Sequence, residues 1–260
     1  MNHGFIGFGN LAKAIYAGLK EEKGFNFAYF ARSNRNSDAQ YIDNILDLVE
    51  FADIIWLTIK PQDLEDILKQ IAPLDRGGKV FVSPIAGKKI QLIESHLGSD
   101  QPIVRIMPNL AIAYKKSVTS FATNQPNNPN TQEILTILNK LGKAVELDED
   151  GFDLFTSVFG SGPAFILSFI QTFKDKMSEF DLPSSLLDEL LLELTQGTTR
   201  YFSENQKQYS IEELIKNITS KGGTTQAGLD YFRKHDIAKH FEGVLDAARE
   251  RSKEMGGPIN

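Results

Sequence analysis

The 260-residue chain is 41% hydrophobic and 24% charged. That is long enough for one large domain or two modest ones, with a core that needs no covalent staples. With no cysteine, a net charge of −6 and no Lys/Arg cluster, it excludes disulfides, thiolate metal sites and cysteine nucleophiles, and it offers nucleic acid no basic face. The pairs Lys88-Lys89 and Lys115-Lys116 read as solvated loop charges. His3, His96, His235 and His240 have no ligand spacing and read as solvated too, so no metal is expected.

Short apolar runs predict strands at His3–Phe8, Phe25–Ala31, Asp53–Ile59, Lys79–Pro84, Ile103–Met107, Val118–Ala122 and Ala144–Leu147. Runs such as Ile54-Ile55-Trp56-Leu57 are continuously apolar, as strands buried on both faces of a parallel sheet require. Helical spacing lies between them, for example over Leu11–Glu22 and Gln62–Ile71. Strand–helix alternation reads as a doubly wound α/β sheet. Asn124–Asn130 reads as a surface loop. From about Asp148 onward no strand is expected. Phe165–Phe180, Ser184–Tyr201, Ile211–Thr219 and His235–Lys253 carry helical apolar spacing. Phe165, Ile166, Leu167, Phe169, Ile170 and Phe173 exceed what one narrow stripe needs, which suits a helix packed on several sides, a partner subunit among them. The expected division is 1–150, a doubly wound domain, and 151–260, an all-helical domain. No uninterrupted apolar run approaches the roughly 20 residues of a membrane span. The first apolar run, broken by Gly7, Gly9 and Asn10, does not suit a signal peptide.

Gly7-Phe8-Gly9-Asn10-Leu11-Ala12 is a G-x-G-x-x-A pattern that follows a strand and opens a helix, the context of dinucleotide binding. Gly7 suits the tight turn, Gly9 lets backbone approach a pyrophosphate, and Ala12 lets helix and strand pack closely. The helix N-terminus presents free N–H groups to phosphate. The second strand ends Tyr29-Phe30-Ala31-Arg32-Ser33-Asn34-Arg35 with no carboxylate to grip ribose hydroxyls. Arg32 and Ser33, with Arg35, suit a 2′-phosphate, so NADP(H) is expected over NAD(H). Ser220-Lys221-Gly222-Gly223-Thr224-Thr225 is a second anion-shaped segment. Backbone N–H groups and threonine hydroxyls at a helix start suit a small carboxylate, though the same pattern also serves an ordinary capped helix. Gly160-Ser161-Gly162-Pro163 opens the long apolar helix.

Together GFIGFGNLAKAI, TIKPQ (Thr58–Gln62), SPIAG (Ser83–Gly87), RIMPN (Arg105–Asn109), GSGPAF (Gly160–Phe165) and GGTTQAGL (Gly222–Leu229) resemble the pyrroline-5-carboxylate reductase family, in the family's order and over nearly the whole chain. The resemblance implies an N-terminal Rossmann-type domain and a C-terminal all-α dimerisation domain. It also implies NAD(P)H-dependent reduction of a cyclic imine to L-proline in the cytoplasm, by a homodimer or a ring of dimers. It implies cofactor contacts at Gly7, Phe8, Gly9, Asn10, Leu11, Ala12, Ser33, Asn44, Ile59, Lys60, Pro61, Ala86, Gly87, Asn109 and Asn217. Gly222, Gly223, Thr224, Thr225 and Glu149 would hold the substrate. Thr225 would hydrogen-bond its carboxylate or ring nitrogen, and Glu149 would favour the charged iminium, which accepts hydride more readily. Local departures stand at Leu11, Leu110-Ala111, Phe159, Lys221 and Gln208, and they leave open a different cyclic imine or a non-catalytic NADP-binding protein. A hydroxyacid dehydrogenase of similar architecture would need a lysine one turn after the interdomain glycine. The first lysine after Gly162 is Lys174.

Overall fold

The computed structural model describes residues 1–257. Among them, eight strands form one sheet in the order β3-β2-β1-β4-β5-β6-β7-β8. They are β1 (Asn2–Ile6), β2 (Asn26–Phe30), β3 (Gln40–Tyr41), β4 (Ile54–Leu57), β5 (Val80–Ser83), β6 (Ile103–Met107), β7 (Ser117–Thr123) and β8 (Gly142–Glu146). All neighbours run parallel except β6 and β7. The expected strands all appear, with ends shifted by up to two residues: Ile103–Met107 is unchanged, Val118–Ala122 lengthens to Ser117–Thr123, and Asp53–Ile59 shortens to Ile54–Leu57. Residues of β4 and β5 are buried without alternation, because helices cover both faces.

The helices of this part are α1 (Asn10–Leu19), α2 (Ile45–Phe51), α3 (Leu64–Ile71), α4 (Ile90–Leu97), α5 (Pro129–Lys140) and α6 (Phe152–Phe155). Ile15 and Leu19 of α1 pack with Ile134 and Leu138 of α5 on one face of the sheet. Leu48, Leu68 and Ile93, from α2, α3 and α4, fill the other. The loop expected at Asn124–Asn130 ends early, since Asn128 caps α5 and Pro129 occupies its first turn.

The remaining helices are α7 (Gly162–Met177), α8 (Ser184–Asn205), α9 (Ile211–Asn217), α10 (Thr224–Lys234) and α11 (Ile237–Gly256). No strand follows β8 among the described residues. The chain forms two compact units, Met1–Ser161 with the stretch from Ala247 onward, and Gly162–Asp246. The break expected at 150 therefore falls later. Phe152 and Phe155 of α6 are buried against Met107 of β6, which ties that segment to the sheet. The last turns of α11 also belong with the first unit.

In the second unit Phe241 of α11 lies edge-on to Phe165 and Phe169 of α7, with ring centroids 6.4 and 5.0 Å apart. Ile166, Leu167 and Phe173 are 61%, 63% and 54% exposed, so this face lacks a cover within one chain. The helical run Glu149–Met177 contains an 18-residue stretch of mean hydropathy 1.4, long and apolar enough to cross a membrane by length and composition. The helical run is this long because α6 and α7 join through a five-residue π-helical turn, Thr156–Gly160, while polar residues such as Ser161, Ser168 and Gln171 keep it from being an uninterrupted apolar run.

Candidate functional site

The first glycine turn lies where β1, β2 and β4 end. Gly7 has φ +87°, and a Cβ there would sit 2.5 Å from Thr58 O and 2.9 Å from Ile59 Cγ2. Only glycine fits, both for the left-handed backbone and for space. Thr58 locks the turn, its hydroxyl donating to Gly7 O at 2.7 Å. Gly9, the N-cap of α1, has φ −84° and no atom within 4 Å of a built Cβ. That glycine is not required by its own fold, and it leaves open the space ahead of the α1 N-terminus, whose first N–H groups have no intrahelical acceptor. Ala12 is fully buried. Phe8 turns inward and stacks on Tyr29 at 4.2 Å, so only its backbone faces out.

A cleft of about 360 Å³ opens here, lined by Gly7, Phe8 and Gly9, by Ala31, Arg32 and Arg35 after β2, and by Ile59, Lys60 and Asp63 after β4. Arg32 reaches Asp63 at 3.5 Å with its side chain 86% exposed, a loose surface pair that leaves the guanidinium available. Ser33 is exposed beside it. A glycine turn, an uncovered helix N-terminus and two arginines without a carboxylate at the end of β2 form a cradle that fits an NADP-type dinucleotide.

Other expected residues have different local work. Asn44 caps α2, accepting from Leu46 N at 2.9 Å. Asn109 accepts from Ala111 N at 3.0 Å and donates to Phe159 O at 2.9 Å, fixing the segment after β6. Leu11, in the first turn of α1, packs on the core, and Asn10 is exposed. Ala86 packs on the Met107–Phe152–Phe155 cluster. Gly87, at φ +74°, is glycine because the end of α11 rests on it: a Cβ would lie 2.6 Å from Met255 C. Pro61 lines a small separate cavity with Gln62 and Lys88.

Glu149 Oε1 accepts from Arg105 at 2.7 Å and from Ile90 N, in the first turn of α4, at 3.0 Å. Arg105 is 2% exposed, and its guanidinium lies 4.4 Å from the Phe152 ring centre. The carboxylate is the counter-charge of a buried arginine and an anchor for a helix N-terminus. Nothing in the sequence marks this pair, whose members stand 44 residues apart. Neighbouring Asp150 binds Lys89 at 2.8 Å, which lowers the acid's pKa and raises the amine's.

The loop charges and histidines need correction too. Lys88 is 6% exposed, and Lys115 pairs with Glu22 at 2.8 Å. His3 is fully buried among Phe25, Phe27 and Trp56, and its Nδ1 accepts from Trp56 Nε1 at 3.2 Å. Burial, reinforced by the N-terminal charge, pushes its pKa down to about 3, so it is neutral.

In the second unit, Gly222 at φ +74° turns the chain into α10, with Gly223 as N-cap. Thr224 and Thr225 form the exposed first turn. No side chain caps this helix, and its first N–H groups have no intrahelical acceptor. Asn217 ends α9, exposed, its side chain without a hydrogen bond among the described residues.

Comparison with known proteins supplies a second line. Residues 149–255 match the family model described as pyrroline-5-carboxylate reductase dimerisation, and residues 2–87 match NADP oxidoreductase coenzyme F420-dependent. Pyrroline-5-carboxylate reductases of Staphylococcus saprophyticus and Staphylococcus epidermidis are 34% and 31% identical, over 96% of both chains in each case. The Plasmodium falciparum pyrroline carboxylate reductase crystal structure with NADP bound superposes with a TM-score of 0.91 at 26% identity, covering 99% of this chain and 98% of that one. The Streptococcus pyogenes enzyme gives 0.85 at 28%, covering 98% of each.

Proposed function

The chain belongs to the pyrroline-5-carboxylate reductase family, and on that premise we propose that it reduces 1-pyrroline-5-carboxylate to L-proline with NADPH as its preferred hydride donor. The observation that carries the reading is the cradle around Gly7 and Gly9, with Arg32 and Arg35 where an NAD-selective site keeps an acid. Arg32, Arg35 and Ser33 would hold the 2′-phosphate. Backbone at Gly9, Asn10 and Leu11 would hold the pyrophosphate. Ile59 and Lys60 form the wall opposite.

When bound, the reduced nicotinamide supplies the hydride, and the protein supplies position and electrostatics. Backbone N–H groups at Thr224 and Thr225, after the turn at Gly222 and Gly223, would take the substrate carboxylate. The Thr225 hydroxyl would orient the ring, with Asn217 on the cofactor side. A ring nitrogen that arrives protonated needs no general acid, so the engagement of Glu149 with Arg105 costs the chemistry nothing. Glu149 acts on the scaffold instead.

The exposed apolar face of α7 and α8 suits a second copy of this chain rather than lipid, as the match to a dimerisation domain supports. Assembly of such dimers into a ring and residence in the cytoplasm accord with this reading. The test of the substrate loop is Thr225→Val: KM for the imino acid should rise at least tenfold while the Kd for NADPH stays unchanged. An unaltered KM would remove Thr225 from the substrate site.

A further inference from the structure

Of the side chains of α11, only Ser252 is buried, at 3% exposed. A helix that buries a lone hydroxyl gains little there from the hydrophobic effect, so the contact depends on its directed bond. The Ser252 hydroxyl donates to Asp153 Oδ1, in α6, at 2.6 Å. One turn later the backbone of Gly256 meets that of Gly87, in the loop between β5 and α4. Each glycine is required by the other. A Cβ at Gly87 would lie 2.6 Å from Met255 C, and one at Gly256 would lie 2.8 Å from Gly87 O. The far end of the same loop is held too, where Glu149 accepts from Ile90 N at 3.0 Å and Asp150 pairs with Lys89 at 2.8 Å. The segment 149–153 and the end of α11 thus fix the β5–α4 loop from two sides.

That loop stands where the reacting end of a dinucleotide must arrive. The strand order runs β2-β1-β4-β5. With a 2′-phosphate beside Arg32 after β2 and a pyrophosphate at the α1 N-terminus after β1, the cofactor continues past the β4 loop toward β5, along the carboxyl ends of the strands. Lys60 lines the dinucleotide cleft, while the next two residues, Pro61 and Gln62, face Arg251, Glu254 and Met255 of α11 across a separate cavity. The last turns of α11 therefore back both loops. Resting on the functional reading above, we propose that Ser252 is a positioning residue for hydride transfer. Its bond to Asp153 seats Gly256 on Gly87 and so fixes the backbone from Ile85 to Gly87 as a wall for the nicotinamide. Ser252 touches neither cofactor nor substrate and acts through the loop. Hydride transfer needs reacting atoms about 3–3.5 Å apart, so a wall displaced by about 1 Å slows the chemistry without removing a binding contact.

The test is single-turnover oxidation of bound NADPH by 1-pyrroline-5-carboxylate in the full-length protein. Ser252→Ala should slow it about tenfold or more. The Kd for NADPH and the KM for the imino acid should stay within about twofold of the parent, with a thermal midpoint about 2–6 °C lower. Asp153→Ala should match it, and the double alanine variant should be no slower than either single one. Asp153→Asn keeps an acceptor and should retain at least about half the parent rate. Gly256→Ala pushes on Gly87 O from the other side of the contact and leaves Ser252 in place. It should slow the same step, which keeps the test open should Ser252→Ala not fold. An unaltered rate in Ser252→Ala and Gly256→Ala, or a loss of rate that Asp153→Asn shares in full, would overturn the proposal. Emission of bound NADPH reports the surroundings of the nicotinamide without turnover, and it should differ between parent and Ser252→Ala at equal Kd. A parent that binds NADPH and reduces no imine would remove the functional reading; identical emission in parent and Ser252→Ala would overturn the positioning role by itself.

Discussion

Gly7 and Gly9 are two residues apart, yet the structure gives them opposite reasons to be glycine, and exchanging each for alanine separates the two. At Gly7 an alanine must adopt φ +87° and place its Cβ 2.5 Å from Thr58 O. The left-handed conformation alone costs about 1–3 kcal/mol. Moving Thr58 also breaks the bond its hydroxyl makes to Gly7 O, about 1 kcal/mol more. Gly7→Ala should therefore lose about 2–4 kcal/mol, a midpoint drop of roughly 5–15 °C in a chain of this size. At Gly9 the built Cβ meets nothing within 4 Å and φ is −84°. Gly9→Ala should melt within about 2 °C of the parent, since neither strain nor contact changes. The added methyl instead enters the space where a pyrophosphate would approach the backbone, and NADPH affinity should fall about tenfold to a hundredfold, or 1.4–2.7 kcal/mol. Differential scanning calorimetry paired with fluorescence titration of NADPH reads both quantities. A Gly9→Ala protein that binds NADPH as the parent does would refute the cradle, whatever its stability.

Replacing both Arg32 and Arg35 with alanine should weaken NADPH about tenfold or more through lost charge-assisted bonds, while the Kd for NADH moves less than twofold; equal losses for both cofactors would contradict the 2′-phosphate assignment. Arg105→Met strips Glu149 of its partner and, with that carboxylate 22% exposed, should cost about 2–3 kcal/mol. Combined with Glu149→Gln the losses should add to less than their sum, and kcat of Glu149→Gln should fall by less than about tenfold; a fall of several hundredfold at unchanged stability would return Glu149 to the chemistry. His3 has a folded pKa near 3 against about 6.5 when unfolded. Below pH 6.5 the unfolded chain therefore takes up a proton that the native state refuses. Stability falls as the pH drops through that window, by about 3 kcal/mol between pH 6.5 and pH 4. His3→Gln keeps an acceptor for Trp56 and cannot titrate, so its urea midpoint should change less over the same range; parallel acid limbs would exclude His3 as the source.

What could be seen in advance divides by the distance over which it is determined. The parallel strands were legible because Ile54–Leu57 and Val80–Val82 are apolar at every position, a signature carried within three or four residues. The two-residue strand β3 was not, because Gln40–Tyr41 is too short to show a period. The cofactor turn was legible because Gly7, Gly9 and Ala12 act through their own backbone and the helix they open. The pairing of Arg105 with Glu149 was not legible because its members stand 44 residues apart. Lys88 looked like a solvated loop cation because its burial involves the end of α11, far along the chain. His3 looked solvated because its aromatic surround is assembled from β1, β2 and β4.

The central claim is that this scaffold delivers hydride from NADPH to a five-membered cyclic imino acid. Purified protein, NADPH and 1-pyrroline-5-carboxylate test it directly, with loss of reduced nicotinamide followed by absorbance and the product resolved by chiral chromatography. The account predicts stoichiometric conversion to L-proline, faster with NADPH than with NADH and faster than with the six-membered imine. NADPH binding without turnover of the five-membered ring would contradict it.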